Sequence, residues 1–377
     1  MIYLDNAATS YPKPRCVKRA VWESIDKYWA NPGRSGHRAA VEAALAVYGV
    51  REKTAAAFGI SKPENAVFTC GATHALNIAV KCAVKPCSRV ITSVYEHNAV
   101  LRPLYHMEKE QECEIVFIRN KEDETAQMLS QIVGQMNKNC SAVILTARSN
   151  VTGEAFPLKD IGKICRKNGV TFVVDASQAA GYESINITDN YIDILCIPSH
   201  KGLLGICGAG AVIFSDSYSG DIKPILYGGS GAFSESRDMP PFLPEALEAG
   251  TLPVPAILSM GAGIDLLGHI GWDEAGYRAK VCADIARNCL GSMRGVTLYP
   301  CYGSIVLFNI NGLSPSRTAE LMDKSGIAVR SGLHCAPLCH SQLGTLPEGA
   351  VRASFNLFNR REHAAALVNC IRDAIKM

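Results

Sequence analysis

Neither sign of charge dominates this chain of 377 residues: 38 lysines and arginines stand against 35 aspartates and glutamates, for a net charge of +3, and the two signs are interspersed. The electrostatic footprint of a nucleic-acid binder, or of a protein held on an acidic membrane, is therefore missing. Long uncharged apolar runs are missing too. The most apolar stretch, AILSMGAGIDLLGHIGW, is interrupted by Asp265 and His269, and the N-terminal MIYLDNAATS lacks a basic-then-apolar leader, so a cytoplasmic location without membrane contact is expected. No C-x-x-C pair occurs among the 15 cysteines. Their odd number and their scatter from Cys16 to Cys370 read as reduced thiols, and the pairs Cys82/Cys87 and Cys335/Cys339 lack the second pair a structural zinc requires. No metal is expected. Internal repeats and low-complexity tracts are also absent. What remains, 48% hydrophobic and 19% charged residues, is enough to bury a large core, and two packed domains are expected.

Seven short runs rich in β-branched residues punctuate the first two thirds of the chain: NAVFT, SRVITSV, CEIVFI, SAVILTA, VTFVVD, YIDILCI and AGAVIF. Apolar on nearly every residue, they suit strands covered on both faces, and most of their separations leave room for crossover helices. An α/β fold with a mostly parallel seven-stranded sheet follows. After about residue 255 long helical patterns surround a few strands (GVTLYP, SIVLFNI), which predicts a smaller α+β domain. The expected division is 16–255 for the large domain and 256–377, joined by segment 1–15, for the small one. The Gly/Pro/Ser-rich stretch YGGSGAFSESRDMPPFLPEALEAGTLPVP reads as a functional loop region.

The chemistry lies at the predicted strand ends, where such sheets bind ligands. FTCGATHALN would open a helix at Gly71-Ala72-Thr73, whose free N–H groups suit a phosphate, although a plain N-cap explains Thr73 as well. VVDASQ ends another strand with Asp175, which could simply cap a helix. IPSHKGLLG ends a third with His200-Lys201, which alone could be a solvated loop lysine. Together they are the set that pyridoxal 5'-phosphate requires: a lysine for the Schiff base, a carboxylate for the pyridine nitrogen and a helix end for the phosphate. His97 in YEHNAV is placed to cover the ring; a surface histidine is the bland alternative.

The ordered segments YLDNAATS, NPGRSGH, TCGATHALN, YEHNAV, SNVTG, VDASQAAG, SHKGLLG, EAGT, RSGLHCAP and VRASFNLFN resemble the class V aminotransferase-like enzymes of the fold-type I pyridoxal phosphate group, and within them the group II cysteine desulfurases and selenocysteine lyases. The resemblance spans nearly the whole chain. It implies that Lys201 is the Schiff-base lysine, that His97 stacks on the ring and that Asp175 pairs with the pyridinium nitrogen. Ala72, Thr73, His200 and, from a second subunit, Thr251 would hold the phosphate, with Asn150 and Gln178 near the ring hydroxyl. Asn6, Ala7, Arg330 and Arg352 would meet the substrate, Arg352 clamping its carboxylate. Thr251 and Arg34 match positions that reach a neighbouring subunit's site, which implies a homodimer. The family usually has Ser-Gly-His before the lysine. Here Pro198-Ser199-His200 precedes it, so the phosphate-binding hydroxyl has moved, with Ser199 the candidate, or is lost. Ala147-Arg148 stands before SNVTG, where relatives often carry a histidine.

The stretch RSGLHCAPLCH, residues 330–340, admits a metal site, a disulfide or a nucleophile. The resemblance points to Cys335 as a nucleophile that takes sulfur from L-cysteine as a persulfide, releases alanine and passes the sulfur to an acceptor, which could be a protein. Arg330, or a protonated His334, would help ionise it. Cys339, four residues on, either shares a helical face with Cys335 and relays sulfur or packs under the loop as a small apolar group. Selenocysteine lyase, another C–S lyase or aminotransferase, and a non-catalytic sulfur carrier on a degenerate fold are the alternatives.

Overall fold

Thirteen short strands build three sheets in the computed structural model, which describes residues 1–33, 35–119 and 125–376. In chain order they are β1 (Ile2–Tyr3), β2 (Ala66–Thr69), β3 (Ser88–Ser93), β4 (Cys113–Ile118), β5 (Cys140–Thr146), β6 (Thr171–Asp175), β7 (Ile194–Pro198), β8 (Gly210–Phe214), β9 (Val296–Leu298), β10 (Ile305–Ile310), β11 (Ile327–Ala328), β12 (Arg330–Gly332) and β13 (Ala350–Ser354). The largest sheet has the order β2-β8-β7-β6-β5-β3-β4. Its strands run parallel except β8, which is antiparallel to both β2 and β7. The seven sequence runs are these seven strands.

Every residue of β5, β7 and β8 is buried. The two-residue period of a strand divides them between two cores. On one face Ala142, Ile144, Val173, Cys196 and Val212 meet Leu76 and Ala79 of the helix Ala72–Ala83 and Val100 and Leu104 of the helix Asn98–Lys109. On the other, Val143, Leu145, Phe172, Val174 and Leu195 meet Phe58 of the helix Arg38–Phe58, Ile161 of Leu158–Asn168 and Ile257 and Met260 of Val254–Ile270. Covered faces explain the continuous apolar runs.

A third core lies beneath the four-stranded antiparallel sheet β12-β13-β10-β9. Ala283 and Leu290 of the helix Trp272–Gly291 and Leu367 and Ile371 of the helix Arg361–Lys376 pack there on Val306, Phe308, Val351 and Ala353. The N-terminal residues join this layer: β1 pairs in parallel with β11, Asp5 bridges to Ser354, and Leu4 lies in the third core. Among the described residues no single helix is long and apolar enough to cross a membrane.

Candidate active site

The C-terminal ends of β2, β3, β5, β6 and β7 share one edge of the large sheet, because these strands are parallel to one another. At that edge opens a cavity of about 380 Å³ whose wall includes Ala7, Ala72, Thr73, His97, Asn150, Asp175, Gln178, His200, Lys201, Arg330 and Arg352. Residues drawn from positions 7 to 352 thus converge on one space.

Asp175 is the last residue of β6, and its carboxylate accepts the N–H of Ser177 at 2.9 Å. Lys201 follows β7 by three residues; burial pushes its amine down to about 8 against the opposing pull of Asp175. An amine so displaced is half neutral near pH 8 instead of near 10.5, which suits a nucleophile. His97 caps the helix Asn98–Lys109, its Nδ1 accepting from Ala99 N at 3.0 Å, and burial lowers its proton affinity. Beneath it lies Glu96, fully buried and pushed up to about 8, with Oε1 accepting from Ser93 Oγ at 2.5 Å and from Thr146 N at 3.0 Å. Glu96 thus ties the ends of β3 and β5 under the histidine.

One end of the cavity is built for an anion. In the helix Ala72–Ala83 the first backbone bond runs from Ala75 N to Gly71 O, so the N–H groups of Ala72, Thr73 and His74 precede the helical ladder and border the cavity. His200 Nδ1 and His74 Nε2, both of residues on the same wall, are buried without a partner among the described residues. Gly210 opens β8 tight against this cradle: a Cβ there would stand 2.5 Å from Ile197 O and 2.9 Å from the Gly71 backbone.

The opposite side is lined by two arginines. In β13, Val351 and Ala353 face the third core, so strand alternation turns Arg352 the other way, toward the large sheet. Arg330 of β12 lies directly across the ladder from it. Like charges in that position repel, and Arg352 is paired with the carboxylate of Asp5, 3.0 Å from its Nη2. Arg352 is only 1% exposed; Nη1 donates to Asn150 O at 2.7 Å and Nε has no partner. Two neighbouring guanidinium groups, one of them buried, suit a carboxylate ligand.

Cys335 stands beside this cavity rather than in its wall. It is exposed and borders an adjoining recess of about 450 Å³ that shares Thr73, His97 and Ala99 with the cavity. His334 and Cys335 have φ of 50° and 57°, a left-handed pair that costs energy in non-glycine residues. Two clamps hold it. Asn150 Nδ2 donates to His334 O and Asn98 N donates to Cys335 O, each at 2.7 Å. The nearest cation is Arg330, with Nη2 4.0 Å from Sγ. His334 does not supply the positive charge: burial first, then Arg352, push it down to about 2. Its Nδ1 lies 3.1 Å from His340 Nε2, and His340 Nδ1 lies 2.7 Å from Thr345 Oγ1, a chain of neutral rings that fixes the loop from below. Cys339 is 0% exposed, with its thiol pushed up to about 12 by burial. It packs under the loop.

Besides Cys335, three expected site residues stand apart from the cavity wall. Ser199 Oγ is buried without a partner against Gly205, where an added Cβ would come within 2.1 Å of it. Its hydroxyl therefore points into the β7–β8 connection, and the replacement of Ser-Gly-His by Pro-Ser-His leaves the cradle without it. Asn6 is consumed by structure: Nδ2 donates to Ser354 O at 2.8 Å, and Oδ1 accepts from Asn356 Nδ2 at 2.8 Å. Thr251 is exposed, with Asn31 Nδ2 3.4 Å from its hydroxyl. Arg34 lies outside the described residues. Gln178, in contrast, donates to Ala7 O at 2.9 Å and fixes the N-terminal segment on the cavity. Arg148, which stands near where relatives carry histidine, bonds Gly153 O and Glu183 and stays out of the wall.

Sequence reasoning did not assign a role to Glu96, Asp5 or His340. Glu96 alone had a local signal, a carboxylate next to His97, the histidine expected to cover a ring.

The model of the Aminotransferase class-V family matches residues 2–367. A probable cysteine desulfurase of Methanothermobacter thermautotrophicus is 29% identical over 97% of this chain and 92% of its own length. The cysteine desulfurase of Haloferax volcanii is 27% identical over 98% and 88%. Among solved structures, the apo cysteine desulfurase of Thermococcus onnurineus NA1 superposes with a TM-score of 0.89 at 28% identity, covering 100% of this chain and 94% of that one. The Escherichia coli cysteine desulfurase CsdA, in its S-sulfonic acid form, also gives 0.89, at 26% identity over 99% and 94%. A match of this extent, on a chain whose lysine, aspartate and histidine converge at the strand ends, settles the family: the chain belongs to the class V aminotransferases.

Proposed function

We propose that the protein is a cysteine desulfurase that uses pyridoxal 5'-phosphate to convert L-cysteine into L-alanine and a persulfide on Cys335. The observation that carries this is the joining of Lys201 and Arg352 in one cavity that shares its Thr73–His97 wall with the recess of Cys335.

The donor set fits the cofactor. Unpartnered imidazole nitrogens and free helix N–H groups await a phosphate, a buried carboxylate suits a pyridinium nitrogen, and an amine of lowered proton affinity awaits an aldehyde. Thr73 and His200 would hold the phosphate, Asp175 the ring nitrogen, His97 the ring face and Lys201 the aldehyde carbon. When bound, pyridoxal phosphate supplies an electron sink that loosens the bonds around the substrate's α-carbon and makes its sulfur a leaving group. Arg352 and Arg330 orient the substrate carboxylate, and that orientation turns the substrate thiol toward the mouth. Lys201 Nζ is the base placed to carry protons within the cavity. Cys335 Sγ takes the sulfur: an S–S bond forms, the substrate's C–S bond breaks, and alanine leaves with the protons returned to carbon.

A two-fold homodimer belongs to the same reading. Near Thr251 the side chains of Tyr227, Phe233 and Phe242 are exposed, an apolar surface for a second copy that would bring Thr251 to its partner's phosphate.

Incubating the holoenzyme with L-cysteine should give alanine and one extra sulfur on Cys335 by peptide mass mapping, and borohydride reduction should fix the cofactor on Lys201. Alanine without any sulfur on Cys335, or cofactor trapped on another lysine, contradicts the proposal.

A further inference from the structure

Cys335 opens onto a recess outside the cofactor cavity, and that recess has a chemistry of its own. Besides the shared Thr73, His97 and Ala99, its wall contains Asn77, Arg102 and His106 and, among the described residues, no acidic side chain. Arg102 is exposed, on the second turn of the helix Asn98–Lys109, with no carboxylate partner among the described residues. The position of a free guanidinium and an imidazole on one side of an exposed nucleophile serves no step in forming the persulfide, whose cation is Arg330.

We propose that this recess seats the final sulfur acceptor, and that the acceptor is a small thiol bearing carboxylates. The inference rests on the desulfurase reading and concerns the step after it. Arg102 and His106 hold the carboxylates, so that the acceptor's thiolate points at the outer sulfur on Cys335. A new S–S bond forms to the acceptor, the bond to Cys335 Sγ breaks, and Cys335 leaves as a thiolate beside Arg330. The acceptor departs as a persulfide without net oxidation or reduction. Size favours a small molecule: the recess measures about 450 Å³ and the aliphatic residues in its wall are Ala99 and Pro103, far less than the buried apolar centre on which protein partners dock.

The test separates loading from transfer. Holoenzyme is loaded with L-cysteine, freed of excess substrate and mixed in a single turnover with mercaptosuccinate or with the uncharged thiol monothioglycerol, rates being compared per thiolate. Wild type should transfer faster to mercaptosuccinate, with the advantage shrinking as salt rises. Arg102→Gln should slow mercaptosuccinate about two- to five-fold, as expected for one exposed charge contact, Arg102→Glu should slow it further, and both variants should load Cys335 normally and serve monothioglycerol as before. Equal rates for the two thiols in wild type, or equal losses for both in Arg102→Gln, would overturn the inference. So would a loaded enzyme inert to both thiols, which would assign the step to a protein acceptor. Failure of Cys335 to load would instead sink the desulfurase reading upstream, and the inference with it.

Discussion

Replacing Lys201 with methionine should make the cofactor-free protein more stable at neutral pH, and the gain should vanish in alkali. Burial takes the amine from its ordinary 10.5 to about 8, with Asp175 opposing the shift and Arg352 and Arg330 adding to it. At about 1.36 kcal/mol for each pH unit, the gap corresponds to ~3 kcal/mol. Water reaches the cavity that Lys201 borders, so this figure is an upper bound. The sign follows from proton counting. Below pH 8 both states hold the proton and the folded state carries the whole penalty. Between 8 and 10.5 the unfolded chain binds more protons than the folded one, so stability rises with pH, and above 10.5 the penalty is gone. Methionine keeps the apolar stem and removes the amine. Urea unfolding of both proteins at pH 7, 8.5 and 10 should show Lys201→Met ahead by up to ~3 kcal/mol at pH 7, with the gap narrowing to under about 1 kcal/mol by pH 10. Tyrosines and thiols that titrate in the same range are common to both proteins and cancel in the difference. Parallel stability curves would refute the argument, because they would mean that Lys201 titrates alike in both states.

Arg352→Lys keeps a charge but cannot span both Asn150 O and Asp5 while presenting a fork, so apparent affinity for L-cysteine should fall about ten- to a hundred-fold, for the ~1.5–3 kcal/mol of one charged hydrogen bond, with the cofactor's absorbance unchanged. Cys335→Ala should retain colour and substrate binding while losing persulfide and nearly all alanine release, whereas Cys339→Ala, which alters a thiol in the core, should still load Cys335 but melt at lower temperature. Gly210→Ala drives a methyl group into the backbone of Ile197 and Gly71, so it should cost about 1–3 kcal/mol in thermal unfolding and speed cofactor loss on gel filtration.

The inner strands of the large sheet were readable because both faces are covered, which makes runs such as β5, β7 and β8 continuous and apolar. The edge strand β4, with Glu114 exposed, was readable instead by its β-branched and aromatic residues. The reversal of β8 was not readable from AGAVIF, since composition does not encode direction. The link carries that signal: β7 ends at Pro198 and β8 begins at Gly210, an interval with no helical repeat and too short for a crossover helix, so an antiparallel return follows. The strands β1, β11 and β12 have two or three residues each and are only partly buried. They exist because a neighbouring strand supplies the pairing, and nothing in their own letters marks them. In β13 the sequence AVRAS hid a fully buried strand, because Arg352 breaks the apolar run at the point where the site needs a cation.

The same distinction governs the site. Lys201, Asp175, His97 and Thr73 could be grouped from sequence because parallel strands deliver their C-terminal ends to one edge, so a rule about topology did the work of coordinates. The loop around Cys335 obeys no such rule. The spacing of Cys335 and Cys339 suits one helical face, but the helix begins only at Pro337, and Cys335 is held before it in a left-handed conformation by Asn98 N and Asn150 Nδ2, from residues more than 180 positions away. Those remote clamps decide which thiol meets solvent. His334 shows the same dependence: next to a nucleophile it reads as a cation, yet burial against Arg352 and His340 keeps it neutral and leaves Arg330 to face the sulfur. The local stretch names both candidate cations for Cys335, Arg330 and His334, and the burial of His334 against Arg352, from a strand paired with that of Arg330, decides between them.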